Sequence, residues 1–370
     1  MDPKNRLNED VHRVHSNIER VRSRAPRLKD ERVTLAHGAG GKASAALVEQ
    51  VFVSAYESAE LRQAEDAALL TFPGSPGEGD DGSRIAFSTD SYVVDPLEFP
   101  GGSIGDLAVN GTVNDLAVSG ALPEVISAAF ILEEGLEIAV LRRIVADMHA
   151  AAEKAGVRIV TGDTKVVPRG HGDGVYITTA GMGRIPASVQ LDAHGLQPGD
   201  RILCSGPIAD HGMAVMMARG DLAISAPIES DTRAINGLTA ALLDAAPHTR
   251  WMRDATRGGV ATVMNECAQL SGLGIVLEDQ HLPVRDMTRA ACDMLGIDPL
   301  YVANEGTFLA VVPAEEADAG LDALHAAGAP EACAVGRVAE SPAAQVALVT
   351  GFGGTRMVDM LVGDPLPRIC

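Results

Sequence analysis

Aromatic residues are scarce in this sequence, at only 3% of its 370 residues. Its hydrophobic cores must therefore be built mainly from Ala, Val, Leu and Ile, and a hydrophobic content of 46% supplies them. A chain of this length can bury two full cores, so we expect two domains.

Basic charge is also scarce, because 30 Lys and Arg face 50 Asp and Glu, for a net charge of −20. A protein without a broad basic surface is a poor candidate for binding DNA or RNA. Small nucleotides remain possible, since metal ions, glycine loops and a few cations suffice to hold their phosphates. No apolar run is long enough to cross a membrane, so neither nucleic acid nor membrane is an expected partner.

Cysteine is present only five times, and no Cys-x-x-Cys pair occurs. A zinc site or a disulfide framework is therefore disfavoured, and a reducing cytoplasm fits best. Cys370 is the last residue and follows the glycine-rich segment 351–354. Such a segment predicts a flexible tail that presents one thiol alternately to its own fold and to a partner. A frayed end without function is the alternative.

Strand and helix patterns alternate along the chain and predict four regions. These are an N-terminal extension at 1–32, an α/β domain at 33–188, a second domain at 189–350 and the tail at 351–370. A surface loop is predicted at 73–83. The predicted helices are 42–56 (with Leu47, Val48, Val51 and Phe52 inward), 103–118, 137–155, 209–218, 233–245 and 258–270. The predicted strands are 84–89, 124–132, 157–161, 174–185, 201–204, 275–277 and 307–312, with two more near Cys333 and Val346.

A glycine-rich turn, His37-Gly38-Ala39-Gly40-Gly41-Lys42, precedes the first predicted helix. Glycines let backbone N–H groups approach phosphates closely, and a helix N-terminus adds positive potential. The spacing differs from that of a Walker A loop. A simple helix-capping turn is equally compatible with these residues.

Isolated acidic residues recur at predicted strand ends and turns. They lie in Glu65-Asp66, Ser88-Thr89-Asp90-Ser91, Asn114-Asp115, Thr161-Gly162-Asp163-Thr164-Lys165, Arg253-Asp254-Ala255-Thr256-Arg257-Gly258-Gly259 and Asn304-Glu305. Carboxylates gathered in this way are typical ligands of Mg²⁺ beside substrate phosphates. Each one alone is more often a turn or helix cap.

In this order the motifs resemble those of the PurM-like ATP-dependent superfamily, and with Pro367-Arg368-Ile369-Cys370 they resemble its HypE family of carbamoyl dehydratases. The resemblance covers roughly 33–370. It implies an N-terminal α/β domain whose sheet forms a closed β-barrel with a second subunit, a C-terminal α+β domain, and ATP in the cleft between them.

The resemblance also implies an activity. A carbamoyltransferase, HypF, loads a carbamoyl group onto Cys370, and ATP-dependent dehydration converts this S-carboxamide to a thiocyanate. The cyanide then passes to iron on a HypC–HypD complex, for [NiFe]-hydrogenase.

Site roles follow from the same resemblance. Asp66, Asp90, Asp163 and Asp254 are expected to bind Mg²⁺. His37, Gly40, Gly41, Lys42, Asn114, Asp115, Thr164 and Arg257 are expected to bind ATP or its phosphates. Cys370, Lys165 and Glu305 are the expected catalytic residues, although Lys165 could instead be a plain phosphate contact.

Two other functions fit parts of this pattern. A selenophosphate synthetase would carry its reactive Cys near the glycine-rich turn, where this chain has His37 and no Cys. A scaffold that only carries a thiol-bound group between partners would not hydrolyse ATP.

Overall fold

The computed structural model describes residues 32–38, 41–56, 60, 66–72, 83–220, 226–361 and 369–370. The predicted extension 1–32, apart from Arg32, and the predicted loop 73–83, apart from Ser83, lie outside the described residues, as do Gly40 and Arg368. In the part of the chain that the structure describes, no helix has the length and apolar character needed to cross a membrane.

The described elements form two sheets with helices packed on them. The helices are α1 (Lys42–Leu47), α2 (Ile104–Val118), α3 (Ile138–Ala155), α4 (Asp210–Ala218), α5 (Asn236–Ala245), α6 (Gly259–Ser271), α7 (Asp286–Leu295) and α8 (Ala317–Ala326). The strands are β1 (Ala68–Phe72), β2 (Ser83–Tyr92), β3 (Glu98–Phe99), β4 (Gly102–Ser103), β5 (Leu122–Glu133), β6 (Arg158–Val167), β7 (Val175–Arg184), β8 (Arg201–Cys204), β9 (Trp251–Asp254), β10 (Gly274–Glu278), β11 (Phe308–Val312), β12 (Cys333–Ala339), β13 (Val346–Val349) and β14 (Thr355–Val358).

The first sheet has the order β1-β2-β7-β5-β6. Its pairs are antiparallel except for β5 and β6, which run parallel and are joined through α3. The second sheet has the order β14-β13-β10-β12-β8-β11-β9, with β10 and β13 parallel and the other pairs antiparallel. β3 and β4 form a small separate hairpin.

Helix α2 is the element that joins the two halves. It begins at a capping box, in which Ser103 Oγ accepts from Gly105 N and Asp106 Oδ2 accepts from Ser103 N. Most of its residues are buried on all sides, as expected for a helix that is apolar all round. It packs on β2, β5 and β7 of the first sheet and also contacts β9 of the second.

The predicted helix at 42–56 is present, but its predicted inward face is wrong. The α-helix ends at Leu47 and continues as π-helical turns over Val48–Val53, with a last α-turn at Ser54–Tyr56. Val48, Val51 and Phe52 are 46%, 41% and 42% exposed. A π-helical segment rotates successive side chains away from the 3.6-residue period, so the apolar stripe does not keep one inward direction.

The prediction that Thr161-Gly162-Asp163-Thr164-Lys165 ends a strand is also wrong, because β6 continues through it to Val167. Gly162 looked like a strand terminus in the sequence. Instead it allows close pairing, since a Cβ there would lie 2.1 Å from the Ala128 carbonyl oxygen of β5.

Candidate active site

A cavity lies between the two halves and draws its lining from both. It is lined by Asp90, Ser91, Tyr92, Gly111, Asp115, Asp254, Thr256, Arg257, Glu305 and Cys370. Six of the residues predicted to form the site therefore meet here: Asp90, Asp115, Asp254, Arg257, Glu305 and Cys370.

Strand alternation on β2 directs one set of side chains toward α2. Ser88, Asp90 and Tyr92 lie two residues apart and share that face. Ser88 Oγ donates to Asp115 Oδ2 on α2 at 2.5 Å. A Cβ at Gly111 would lie 2.2 Å from the Tyr92 hydroxyl, so only glycine lets the tyrosine ring pass α2.

Three carboxylates converge at one side of this cavity. Oxygens of Asp66, Asp115 and Asp254 all lie within 4.8 Å of one another. Asp66 Oδ2 is 2.9 Å from Arg253 Nε, and Arg253 Nη1 donates to Glu266 at 2.7 Å. Asp115 thus joins two of the predicted metal ligands, although the sequence resemblance assigned it to the nucleotide.

Burial makes this cluster electrostatically unfavourable without a cation. Burial raises the pKa of Asp254 well above its ordinary value, and the neighbouring charge of Asp66 raises this pKa further. Burial and the charge of Asp254 likewise raise the pKa of Asp115 and that of Glu305. Buried Asp254 Oδ2 has no hydrogen-bond partner among the described residues. An all-oxygen donor set with an unsatisfied buried oxygen fits a divalent cation such as Mg²⁺.

Glu305 reaches the cavity because its backbone is fixed from several directions. Its N–H and that of Gly306 donate to the two oxygens of Asp231 at 2.9 and 3.0 Å. Its carbonyl accepts from Asn114 Nδ2 at 3.2 Å. Asn114 also donates to Arg233 O and accepts from Ile235 N, so its amide is engaged with backbone.

Cys370 lies in the cavity beside these carboxylates. Its carbonyl oxygen accepts from Val93 N at 3.1 Å, and the preceding Ile369 is only 3% exposed. Burial raises the pKa of Asp90, and Arg257 opposes that rise. The pKa of Arg257 is itself raised, first by Cys370 and then, after an opposing effect of burial, by Asp90. Within the predicted tail 351–370, the segment Thr355–Val358 is β14 of the second sheet.

Asp163 and Lys165 do not line the cavity in this chain. Through the ladders from β2 across β7 and β5 to β6, they lie on the sheet face that carries Phe87 and Met182. Asp90 and Tyr92 lie on the opposite face. Lys165 Nζ donates to Asp163 Oδ1 at 2.9 Å, and both side chains are more than half exposed. This bond and one from Thr164 N lower the pKa of Asp163.

The predicted phosphate loop is only partly described. His37 is buried, and its Nδ1 lies 2.9 Å from Thr34 N, which donates to it. Gly41 is the N-cap of α1 and Lys42 N donates to the Leu361 carbonyl at 3.2 Å. None of these residues lines the cavity, so their predicted phosphate contacts stay predictions.

Sequence reasoning did not assign the other four lining residues to the site: Ser91, Tyr92, Gly111 and Thr256. Tyr92 had a usable signal, since it lies two residues after Asp90 on the same strand face. Gly111 had none, because its role depends on the distant Tyr92 ring.

Two family descriptions match the chain. One, "AIR synthase related protein, N-terminal domain", matches residues 64–185. The other, "AIR synthase related protein, C-terminal domain", matches residues 197–349.

Curated and solved relatives cover nearly the whole chain. A protein of Rhodobacter capsulatus named carbamoyl dehydratase HypE is 54% identical over 93% of this chain and 99% of its own length. A HypE structure solved in complex with ATP is 41% identical, with a TM-score of 0.75, over 92% of this chain and 100% of its own. A HypE–HypF complex is 42% identical, with a TM-score of 0.79, over 85% of this chain and 100% of its own.

Proposed function

Because this chain belongs to the HypE family of carbamoyl dehydratases, we propose that it uses ATP to dehydrate a carbamoyl group carried on the thiol of Cys370. The observation that carries this proposal is the position of Cys370. The last residue of the sequence lies in the same cavity as Asp90, Asp254 and Glu305. A thiol-bound substrate would thus meet the carboxylates suited to holding a metal and nucleotide phosphates.

The reaction needs activation because the oxygen of a carboxamide is a poor leaving group. In the proposed chemistry, this oxygen attacks the γ-phosphorus of ATP, and the bond from that phosphorus to ADP breaks. The nitrogen gives up one proton, which leaves a phosphorylated imidate whose nitrogen is neutral. It gives up a second as the C–O bond breaks, which releases phosphate and leaves a thiocyanate on Cys370.

Glu305 is the residue best placed to take protons from that nitrogen. It is 3% exposed and lines the cavity with Cys370. Its raised pKa makes its ionised form a stronger base than an exposed glutamate, and the charge of Arg257 opposes that rise. The hydrogen bonds from its own N–H and that of Gly306 to Asp231 keep this part of the backbone in place.

Asp66, Asp115 and Asp254 would hold Mg²⁺, with Asp90 beside them. When bound, the metal neutralises phosphate charge and polarises the phosphoryl group. We assign Arg257 to the phosphates, since it faces Asp90 and Glu305 in the same cavity. His37, Gly40, Gly41 and Lys42 would cover them and exclude water.

We further propose that the active form is a homodimer in which β6 joins the first sheet of a second copy into a barrel. β6 is an edge strand, and its Ile159, Val160 and Val166 are 40%, 52% and 66% exposed. Phe87 and Met182 add exposed apolar surface on the open face. In such a dimer Asp163 and Lys165 would serve the cavity of the partner, because they lie on the sheet face opposite to Asp90 and Tyr92 of their own chain. The register places Thr164 on the face of Tyr92 instead, and its contact with phosphate stays a prediction.

HypF would supply the carbamoyl group, and a HypC–HypD complex would accept the cyanide. Cys370 would then alternate between the cavity and these proteins. The five cysteines are free thiols, which suits a reducing compartment such as the cytoplasm.

Mass spectrometry of the C-terminal peptide tests this function directly. The protein is incubated with HypF, carbamoyl phosphate and Mg-ATP, with Cys370→Ala as the control. We expect a carbamoyl group on Cys370 that loses one water only when ATP is present. A carbamoylated Cys370 that keeps its water in the presence of bound Mg-ATP would contradict the proposal.

A further inference from the structure

His211, in the first turn of α4, contacts the end of the chain from a fully buried position. Its Nε2 lies 2.6 Å from the carbonyl oxygen of Ile369, and its Nδ1 lies 2.8 Å from Ser230 Oγ. The edge of the imidazole meets the ring of Phe99 at a centroid distance of 5.6 Å. Neither the sequence motifs nor the proposed chemistry uses this histidine.

The surroundings of His211 define its protonation state. Burial lowers its pKa to about 4, so the ring is neutral near pH 7. The Ile369 carbonyl can only accept, so Nε2 must carry the proton. Nδ1 is then an acceptor, and the Ser230 hydroxyl donates to it. Ser230 Oγ in turn accepts from Thr232 N at 3.1 Å, which holds the hydroxyl in place.

The opposite side of the C-terminal dipeptide is held by the first half of the chain. Val93, three residues after Asp90, donates its N–H to the Cys370 carbonyl at 3.1 Å. The Ile369 side chain is 3% exposed and packs in a core shared by both halves. The Ile369 carbonyl, a main-chain oxygen of Cys370 and the Ile369 side chain are thus all engaged, and Cys370 itself lines the cavity.

We propose that His211 is a positioning residue, which with Val93 N–H and the Ile369 pocket holds modified Cys370 in the cavity during dehydration. This inference rests on the proposed function. A tail that must also reach outside partners has to bind its own fold reversibly. A neutral histidine suits that use, because it donates a directed hydrogen bond without leaving a buried charge when the tail departs. We call these contacts of His211, Val93 and Ile369 the clasp, and we expect it to affect dehydration and not the loading of the thiol.

The test uses full-length His211→Phe, which fills the ring volume but cannot donate, and His211→Gln, whose amide N–H can still reach the carbonyl. His325→Phe is a matched control, since His325 Nε2 makes a similar contact of 2.8 Å with the Ala332 carbonyl. Each protein is carbamoylated on Cys370 with cyanate, so that no partner is required. Dehydration is then started with Mg-ATP and followed on the C-terminal peptide. A second measurement follows alkylation of unmodified Cys370 by iodoacetamide.

For His211→Phe we expect dehydration to slow about tenfold and alkylation to speed up by a similar factor, because a buried acceptor loses its donor. The KM for ATP should stay unchanged. His211→Gln should restore most of the wild-type dehydration rate and most of the wild-type protection from alkylation. His325→Phe should show the wild-type rates of both reactions. Ile369→Ala should reproduce the His211→Phe result from the tail side, and it carries the test if His211→Phe does not fold.

The outcomes separate the clasp from the function on which it rests. Suppose that the wild-type protein dehydrates its carbamoyl group, and that His211→Phe and Ile369→Ala show the same dehydration and alkylation rates as wild type. The proposed clasp is then wrong and the proposed function stands. If the wild-type protein accepts the carbamoyl group but never dehydrates it, the proposed function fails. The alkylation rates then decide the clasp alone.

Discussion

Asp90 and Asp163 occur in similar sequence settings, each next to a threonine on a strand of the same sheet, yet their environments are opposite. Asp90 lies in the cavity, and burial raises its pKa. Asp163 lies on the other face of the sheet in water, where Lys165 and Thr164 N–H lower its pKa. One carboxylate needs a cation that the chain does not fully supply, whereas the other already has its partner.

This difference divides the predicted acidic residues into two groups. Asp66, Asp90, Asp115 and Asp254 form an incomplete ionic site within one chain. Asp163 and Lys165 form a surface ion pair, of a kind that adds little to stability. Their functional use therefore depends on what covers the open face of the sheet, and a second copy of the chain is the occupant that we propose.

The largest effect should come from Asp254→Asn. Loss of this carboxylate should reduce ATP-dependent dehydration about a thousandfold, because metal assistance is worth several kcal/mol. The same change should raise the free energy of unfolding of the ligand-free protein, since it removes a buried like charge. Peptide mass spectrometry and denaturant unfolding measure the two quantities.

A matched control is Glu98→Gln, which removes a half-exposed carboxylate that pairs with Arg143 at 2.7 Å. It should change the free energy of unfolding by less than about 0.5 kcal/mol and leave dehydration unaltered. If Asp254→Asn behaved like Glu98→Gln, the distinction between the cavity and the surface would not hold.

The second prediction concerns the ion pair of Asp163 and Lys165 on β6 and uses a heterodimer purified through two different tags. One subunit carries Lys165→Ala and the other Cys370→Ala. If Lys165 serves the partner, one of the two sites is complete, and we expect about half of the wild-type rate per dimer. Both single-variant homodimers should be inactive in dehydration. An inactive heterodimer would instead place Lys165 in the site of its own chain.

The smallest effect is a pH dependence of stability. Because the folded pKa values of Asp115, Asp254 and Glu305 are raised, the folded state binds more protons than the unfolded state above pH 4 or so. The free energy of unfolding without ligand should therefore fall as pH rises above the ordinary carboxyl pKa of about 4. Asp163 has the opposite sign, since its lowered pKa adds stability that is lost only in acid.

His211, whose folded pKa of about 4 lies below its ordinary value of 6.5, makes the free energy of unfolding rise with pH between these values, and it does so equally in wild type and Asp254→Asn. We therefore compare the pH slopes of these two proteins. The variant should give the flatter slope, and equal slopes would show that the cavity carboxylates do not titrate on unfolding.

Local signals predicted much of this fold. The helix predicted at 103–118 agrees within one residue with α2, and the helix predicted at 137–155 agrees within one residue with α3. The structure explains these bounds, since a capping box at Ser103 begins α2 and the left-handed Gly156 follows the end of α3. The sequence pattern predicted the wrong structure at positions where a contact with a residue far away in the sequence determines the backbone. Gly162 continues β6 because it lies against Ala128 of β5, and the π-helical turns at Val48–Val53 do not keep the 3.6-residue period on which the predicted inward face depended.

The candidate site shows the same limit. Sequence reasoning named Asp66, Asp115 and Asp254, but their grouping depends on α2 contacting β9 across the two halves. The face on which Asp163 projects depends on the register of three strand pairs, which no local motif encodes. The role of His211 needed the position of Ile369, more than a hundred residues further along the chain.

Asn114 has a consequence for how the nucleotide enters. Its side chain, on α2, binds the backbone of Arg233, Ile235 and Glu305 in the other half at 3.0, 2.9 and 3.2 Å. A hinge motion that parted the halves would break these buried bonds and displace Glu305. We therefore expect the two halves to move together around the cavity, so that ATP and ADP exchange through the opening of the cavity without separation of the halves.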